Sequence, residues 1–222
     1  MSSHRSNRIR ALIFDLDGTL IDSKQDIVNQ VNRTLRDFGF PERSPSELAR
    51  GIGSGSHTLF KALFAGHSSA HDDAFIDQVV QQFRKNYRAH MADSTEPFPG
   101  VWEMLQHFKE LPKAIITNKA QLSADSICSH LGLTPHFVAI HGLEAFKTHK
   151  PDPGPIREAC ALLGVEPHEV AFVGDTPVDM AAAKGAGAIS VAALYGYGEH
   201  AELMAIQPSH AIERVAQLME IL

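Results

Sequence analysis

Residues 12–23 read LIFDLDGTLIDS. With Ala11 in front, four apolar residues run into two aspartates, Asp15 and Asp17, and then into a Gly-Thr turn. A run this short and continuous, bounded by a turn, has the signature of a strand buried on both faces. Ending it on two acids places charge at the carboxyl edge of a sheet, where open α/β folds bind their ligands. The question is why a chain would put two like charges there.

Outward from this strand the pattern divides in two. Short apolar runs recur at Ala114–Ile116, Phe137–Ile140, Val170–Val173 and Ala188–Val191. Helical periodicity lies between them, around Val101–Phe108, Leu122–Leu131, Ile156–Leu163 and Val178–Lys184. A last helix is expected through Ile212, Val215, Ala216 and Met219. Strand-helix alternation predicts a parallel sheet covered on both faces, an α/β core. The stretch from Asp22 to Glu96 has no good strand. Ile27, Val31, Leu35 and Phe38 share one helical face, with Gly39 as its stop, and Phe75, Val79, Phe83 and Tyr87 share another. Shorter helices are expected at Pro45–Arg50 and His57–Phe64. The expected organisation is a core of residues 1–21 and 97–222 carrying an inserted all-helical cap of residues 22–96. Its candidate hinges lie near Leu20–Asp22 and Glu96–Gly100.

The 222 residues suit one large domain or one domain with an insertion. A formal charge of −6 argues against a nucleic-acid partner. No apolar run reaches the length of a membrane span, and the basic start MSSHRSNRIR lacks a signal-peptide core. Cys128 and Cys160 form no metal or redox motif and read as buried reduced thiols, which fits a cytoplasmic protein. His67 and His71 have helical metal-ligand spacing, but beside Gly66 and two serines they read as a solvated loop.

Polar clusters end the other strands as well. Thr117 and Asn118 follow the second, Lys150 follows the third after a loop, and Asp175 and Asp179 follow the fourth. Each has a plain explanation alone, as a turn, a loop or a helix start. Together they aim carboxylates, a hydroxyl and an ammonium at one cleft. Three or four carboxylates there need a cation to stay ionised, and an all-oxygen set suits Mg²⁺. Such a site attracts phosphate, with Lys150 and Thr117 free to hold its oxygens. One carboxylate can attack phosphorus. The second, two residues on and on the same side of an extended segment, can carry the proton.

DLDGTLIDS, ITNK, KPDP and GDTPVDM resemble, in order, the four motifs of the haloacid dehalogenase superfamily. RGIGSGSHTLFKAL and YGYGEHAEL resemble its phosphoglycolate phosphatase subgroup. The resemblance implies a Rossmann-like core with a helical cap and a Mg²⁺-dependent phosphatase acting through a phosphoaspartate, with a small phosphate ester as substrate. The partner expected is a small-molecule phosphate ester, for a chain that is a monomer or homodimer. By matching position, Asp15 is the nucleophile and Asp17 the acid/base, whose backbone carbonyl would be a metal ligand. Thr117 and Asn118 bind phosphate. Lys150 neutralises nucleophile and phosphate, Asp175 binds the metal, and Asp179 supports the metal or orients Lys150.

Dehalogenases lack the second acid of the first motif, so Asp17 favours phosphate chemistry. Sugar-phosphate mutases share all four motifs and stay open, as does pyrophosphate as a substrate. A phospho-acceptor signalling module would end its third strand on an aspartate, where His141 and Gly142 stand here. A binding protein that had lost catalysis would usually lack one of the charged positions. GIGSGS, residues 51–56, follows a helix rather than a strand and is no dinucleotide fingerprint. It reads as a cap loop over the cleft, with Gly53 and Ser54 facing an anion and neighbouring Arg50 meeting a substrate carboxylate. That loop offers no large apolar wall, which suits glycolate better than a nucleoside. Lys24, Lys61 and Lys85 read as solvated helix residues, which disfavours a Schiff-base mechanism.

Overall fold

The computed structural model describes residues 9–49, 51–67 and 72–222. Six strands form one sheet: β1 (Ala11–Phe14), β4 (Lys113–Ile116), β5 (Ala139–His141), β6 (Val170–Gly174), β7 (Ile189–Ala193) and β8 (His210–Ile212). Their order is β5-β4-β1-β6-β7-β8, and every pairing is parallel. All four residues of β1 are fully buried, which is why its sequence does not alternate. The chain leaves β1 to one side, toward β4 and β5, and later returns on the other, through β6 to β8. The crevice at such a switch point is where α/β sheets take ligands.

Helices cover both faces. α5 (Val101–His107), α6 (Gln121–His130) and α10 (Leu218–Ile221) pack with Leu12, Phe14 and Ile115 on one side. α7 (Gly154–Leu163) and α8 (Pro177–Ala186) pack with Ile13, Ala114 and Phe172 on the other. α9 (His200–Ala205) adds a small cluster around Leu203 and Met180. Cys128 and Cys160 are buried free thiols. No helix among the described residues is long and apolar enough to cross a membrane.

The insertion is helical, as its periodicity predicted: α1 (Lys24–Asp37), α2 (Pro45–Ala49), α3 (Ser56–Leu63) and α4 (Asp73–His90). It has its own core, built on Val31, Leu35, Leu48, Phe60, Ile76 and Val79. His67 packs edge-on against Phe40, while Arg50 and His71 lie outside the described residues.

Three expectations need correction. The chain enters and leaves the insertion through a two-stranded antiparallel ribbon, β2 (Ile21–Asp22) with β3 (Glu96–Pro97), too short to show a period. The expected last helix is instead β8, a 3-10 turn at Val215–Gln217 and the short α10. Ile212, the inward residue of an edge strand, has helical spacing to Val215 by coincidence, since both pack on the same core. The third strand, β5, starts two residues later and ends one residue later than expected. Phe137 precedes it and packs edge-to-face on Phe14.

Candidate active site

Asp15 follows β1 directly, and its N–H donates to Val173 O at 2.9 Å, which anchors it between two strands. The chain then winds tightly. Leu16 O accepts from the N–H groups of Thr19, Leu20 and Ile21, so Asp17 does not continue an extended segment. The two carboxylates consequently meet different partners. Lys150 Nζ lies 2.9 Å from Asp15 Oδ1, an ion pair set off the hydrogen-bond direction, so that buried oxygen accepts no hydrogen bond. Asp17 instead receives Lys119 Nζ on both oxygens, at 2.8 and 2.9 Å, and Ser23 Oγ at 2.5 Å.

Asp175 ends β6 and Asp179 sits in the first turn of α8. Thr176 caps that helix: its N–H and hydroxyl both donate to Asp179 Oδ2, at 3.0 and 2.6 Å. Asp179 Oδ1 is left for Lys150 Nζ at 2.5 Å. Asp175 accepts Thr19 Oγ1 at 3.1 Å and the Tyr197 N–H at 2.8 Å. The loop after β7 thus lies against this acid. A Cβ on Gly196 would stand 2.2 Å from Asp175 Cβ and one on Gly198 2.1 Å from Asp175 O, so YGYG is spaced for close approach.

Carboxylate oxygens of Asp15, Asp175 and Asp179 lie within 4.8 Å of one another, all buried. Burial pushes the Asp175 carboxyl well above the usual range, and Asp179 and Asp15 push it further. Burial also raises Asp15, to about 6 against the pull of Lys150. Burial opposes the Lys150 charge, but Asp15 and Asp179 outweigh it and raise its pKa. Three acids with an incompletely satisfied oxygen, no nitrogen or sulfur donor and excess negative charge fit a hard divalent cation. The Asp17 carboxylate is not in this trio, consistent with a role there only through its backbone carbonyl.

Asp15, Asp17, Thr117 and Asn118 line one cavity between core and insertion, of about 70 Å³. Asn118 Nδ2 donates to Lys150 O at 2.9 Å and to Gly53 O at 3.1 Å, so it ties the insertion loop to the lysine segment. Gly53 lines the cavity, but Ser54 does not. The Ser54 hydroxyl turns back to Gly51 O at 2.6 Å and faces a separate cleft, while Ser56 takes the position on the cavity wall. The cavity has an apolar wall made by Ile27, Ile52, Leu59 and Phe83, of which only Ile52 belongs to the Gly51–Ser56 loop. Most of these come from helices outside the glycine loop.

Sequence reasoning missed Lys119, although it is the last residue of ITNK. Its ammonium is buried, bonded to Asp17 and to Tyr87 Oη at 2.8 Å, and lies 4.4 Å from the Tyr87 ring centroid. Tyr87 reads from periodicity as a core residue of α4, and its ring is one. Only its hydroxyl reaches the site, which no helical pattern reveals.

Residues 12–193 match the haloacid dehalogenase-like hydrolase family. The chain is 34% identical over 215 residues to the phosphoglycolate phosphatase of Chromobacterium violaceum, covering 96% of this chain and 97% of that one. It is 32% identical over 216 residues to the phosphoglycolate phosphatase of Aquifex aeolicus, with coverage of 96% and 97%. A predicted phosphoglycolate phosphatase from Haemophilus somnus, known from its crystal structure, superposes with a TM-score of 0.88 at 26% identity. That match covers 96% of this chain and 97% of the other.

Proposed function

The chain belongs to the haloacid dehalogenase-like hydrolases, and from that premise we propose that it is a Mg²⁺-dependent phosphatase of small phosphomonoesters, best on 2-phosphoglycolate. The observation that carries this is the buried Asp15–Asp175–Asp179 trio with Lys150 between two of its members.

Asp15, Asp175, Asp179 and the Asp17 carbonyl would hold the ion, which when bound supplies the positive charge that lets a phosphate dianion approach a carboxylate. Lys150 holds Asp15 with an oxygen free. Asp15 forms an O–P bond as the P–O bond to the leaving group breaks, giving an aspartyl phosphate. In its protonated form Asp17 gives that proton to the departing alkoxide, and the carboxylate left, paired with Lys119, then takes one from water as that water attacks phosphorus. The acyl-phosphate bond breaks, Asp15 is regenerated and phosphate leaves. The Thr117 hydroxyl and the Asn118 backbone N–H would hold phosphate oxygens, since the Asn118 side-chain amide is already committed to Lys150 O and Gly53 O. Residues 22–96 act as a cap that shuts over the reaction through the β2–β3 ribbon.

Substrate size follows from the cavity. The space beside Asp15 and Asp17 is small, about 70 Å³, which favours a short leaving group over a nucleoside. The relatives at 34% and 32% identity carry the phosphoglycolate phosphatase name, which supports the same choice. The test is phosphate release over a panel of organophosphates, nucleotides and pyrophosphate with Mg²⁺, with mass spectrometry of Asp15 after rapid acid quench. We expect 2-phosphoglycolate to give the highest kcat/KM. A nucleotide ranking first, or one phosphoryl group retained without sustained release, would overturn the reading.

A further inference from the structure

We propose that Arg84 is the residue that selects the substrate, by binding a carboxylate on the leaving group. The proposal rests on the phosphatase reading above and names the group that reads the far end of the substrate.

Arg84 lies on α4, one turn before Tyr87 and beside Phe83, and all three line the cavity that holds Asp15 and Asp17. Its Nε is buried and has no hydrogen-bond partner. Its Nη2 pairs with Glu144 Oε1 at 3.1 Å, where the two side chains are 36% and 48% exposed. Exposed pairs of this kind hold weakly. The Glu144 carboxylate is also shared, since its other oxygen accepts the Gln121 N–H at 2.8 Å. Arg84 therefore uses one edge loosely and leaves a buried donor facing no acceptor, an arrangement that disfavours the empty site. A carboxylate entering the cavity can take Nε and an Nη together, the two-pronged geometry that suits guanidinium.

The cavity has no comparable free cation among its described residues. Lys119 is committed to both oxygens of Asp17. The same cavity is lined by the acids, by Arg84 and by the apolar Ile27, Ile52, Leu59 and Phe83. That pattern fits an anion at each end of a short carbon stem. Pyrophosphate has the two anions without the stem, and a neutral alkyl phosphate has the stem without the second anion.

The competing explanation is that Arg84 and Glu144 only latch the insertion to the core. Three substrates separate the two: 2-phosphoglycolate, 2-hydroxyethyl phosphate and pyrophosphate. In Arg84→Gln, the ratio of kcat/KM for 2-phosphoglycolate to that for 2-hydroxyethyl phosphate should fall at least tenfold, mostly through KM. Arg84→Lys should recover part of it. Glu144→Gln, which removes the competitor and not the donor, should keep or raise the ratio. A latch predicts that Arg84→Gln and Glu144→Gln act alike and leave the ratio where it was. Binding is read separately by calorimetry with Mg²⁺ in the Asp15→Asn background. There 2-phosphoglycolate should bind at least tenfold tighter than 2-hydroxyethyl phosphate, and adding Arg84→Gln should erase the difference. No such difference, or a preference for pyrophosphate, overturns the assignment of Arg84. Tight carboxylate-dependent binding by a wild type that hydrolyses nothing would sink the phosphatase reading and leave Arg84 standing.

Discussion

Gly53→Ala tests whether the insertion loop must sit on the core during reaction. Gly53 has φ +91°, and a Cβ there would stand 2.9 Å from Thr176 Cγ2, closer than side chains tolerate. Thr176 cannot yield freely, because its hydroxyl and N–H hold Asp179 and through it Lys150. Two costs follow. The left-handed backbone costs alanine ~1–2 kcal/mol wherever the loop stands. The contact costs a further ~1–3 kcal/mol, only when the loop is seated. The second cost lowers the seated-to-open ratio about 5- to 140-fold, at 1.4 kcal/mol per factor of ten, and raises the apparent KM by up to that factor. Gly39→Ala isolates the first cost. Gly39 has φ +75° and nothing within 4 Å of its would-be Cβ, at the far end of α1. Steady-state hydrolysis of 2-phosphoglycolate, beside urea unfolding, reads both. Both variants should lose stability, and only Gly53→Ala should raise KM. Equal KM values in the two variants would show that the seated loop is no part of the reactive state.

Chelation should abolish turnover, and Mg²⁺ should raise the Tm of the wild type but not of Asp175→Asn; turnover that survives EDTA refutes the metal site. Asp15→Asn should stop turnover and acyl-phosphate labelling, whereas Asp17→Asn should slow turnover about 10²–10⁴-fold with the fold intact by circular dichroism. Lys119→Met should lower unfolding stability by about 3–5 kcal/mol, since it leaves the Asp17 carboxylate buried without its ion pair; a change under about 1 kcal/mol in urea titrations would remove Lys119 from the site's architecture. Asp26 is buried against the returning chain, and although burial works against its charge, hydrogen bonds from Ser94 and Thr95 outweigh it and hold the carboxyl below the usual range. Its folded pKa being depressed, its contribution is present above the unfolded value near 3.9 and lost as pH falls below it, so Asp26→Asn should flatten the acid limb of stability against pH.

The sequence carries these features unequally. β1 and β6 are legible because burial on both faces writes a continuous apolar run. α1 and α4 are legible because one-sided burial writes a 3.6-residue period. β2, β3 and β8 have two or three residues each, and their pairing comes from distant chain, so nothing local marks them. The acids at strand ends are legible because polar residues following buried strands stand out. Their partners are less so. Lys119 could have been found as a lysine at the end of β4, but Tyr87 and Arg84 are ordinary helix residues until α4 is laid across the cleft. The expected helix at Pro45–Arg50 is observed over Pro45–Ala49, and the role expected for Arg50 falls outside the described residues.

How Asp15 and Asp17 coexist is now a matter of charge. The sequence suggested that one cation lets both remain ionised. The structure divides the work: Lys150 faces Asp15 and Asp179, and Lys119 faces Asp17. Four carboxylates against two lysines leave two negative charges, the charge of one divalent ion, and the acids that remain in excess are those of the trio. Neither lysine is free to draw in an anion, because each is already committed to a carboxylate. A phosphate dianion must therefore be brought in by charge that the four motifs do not themselves supply. At the acidic end that charge would be the cation proposed for the Asp15–Asp175–Asp179 trio. At the other end it has to come from the insertion, so substrate choice is separable from phosphate chemistry in this fold and can change without touching a single motif residue.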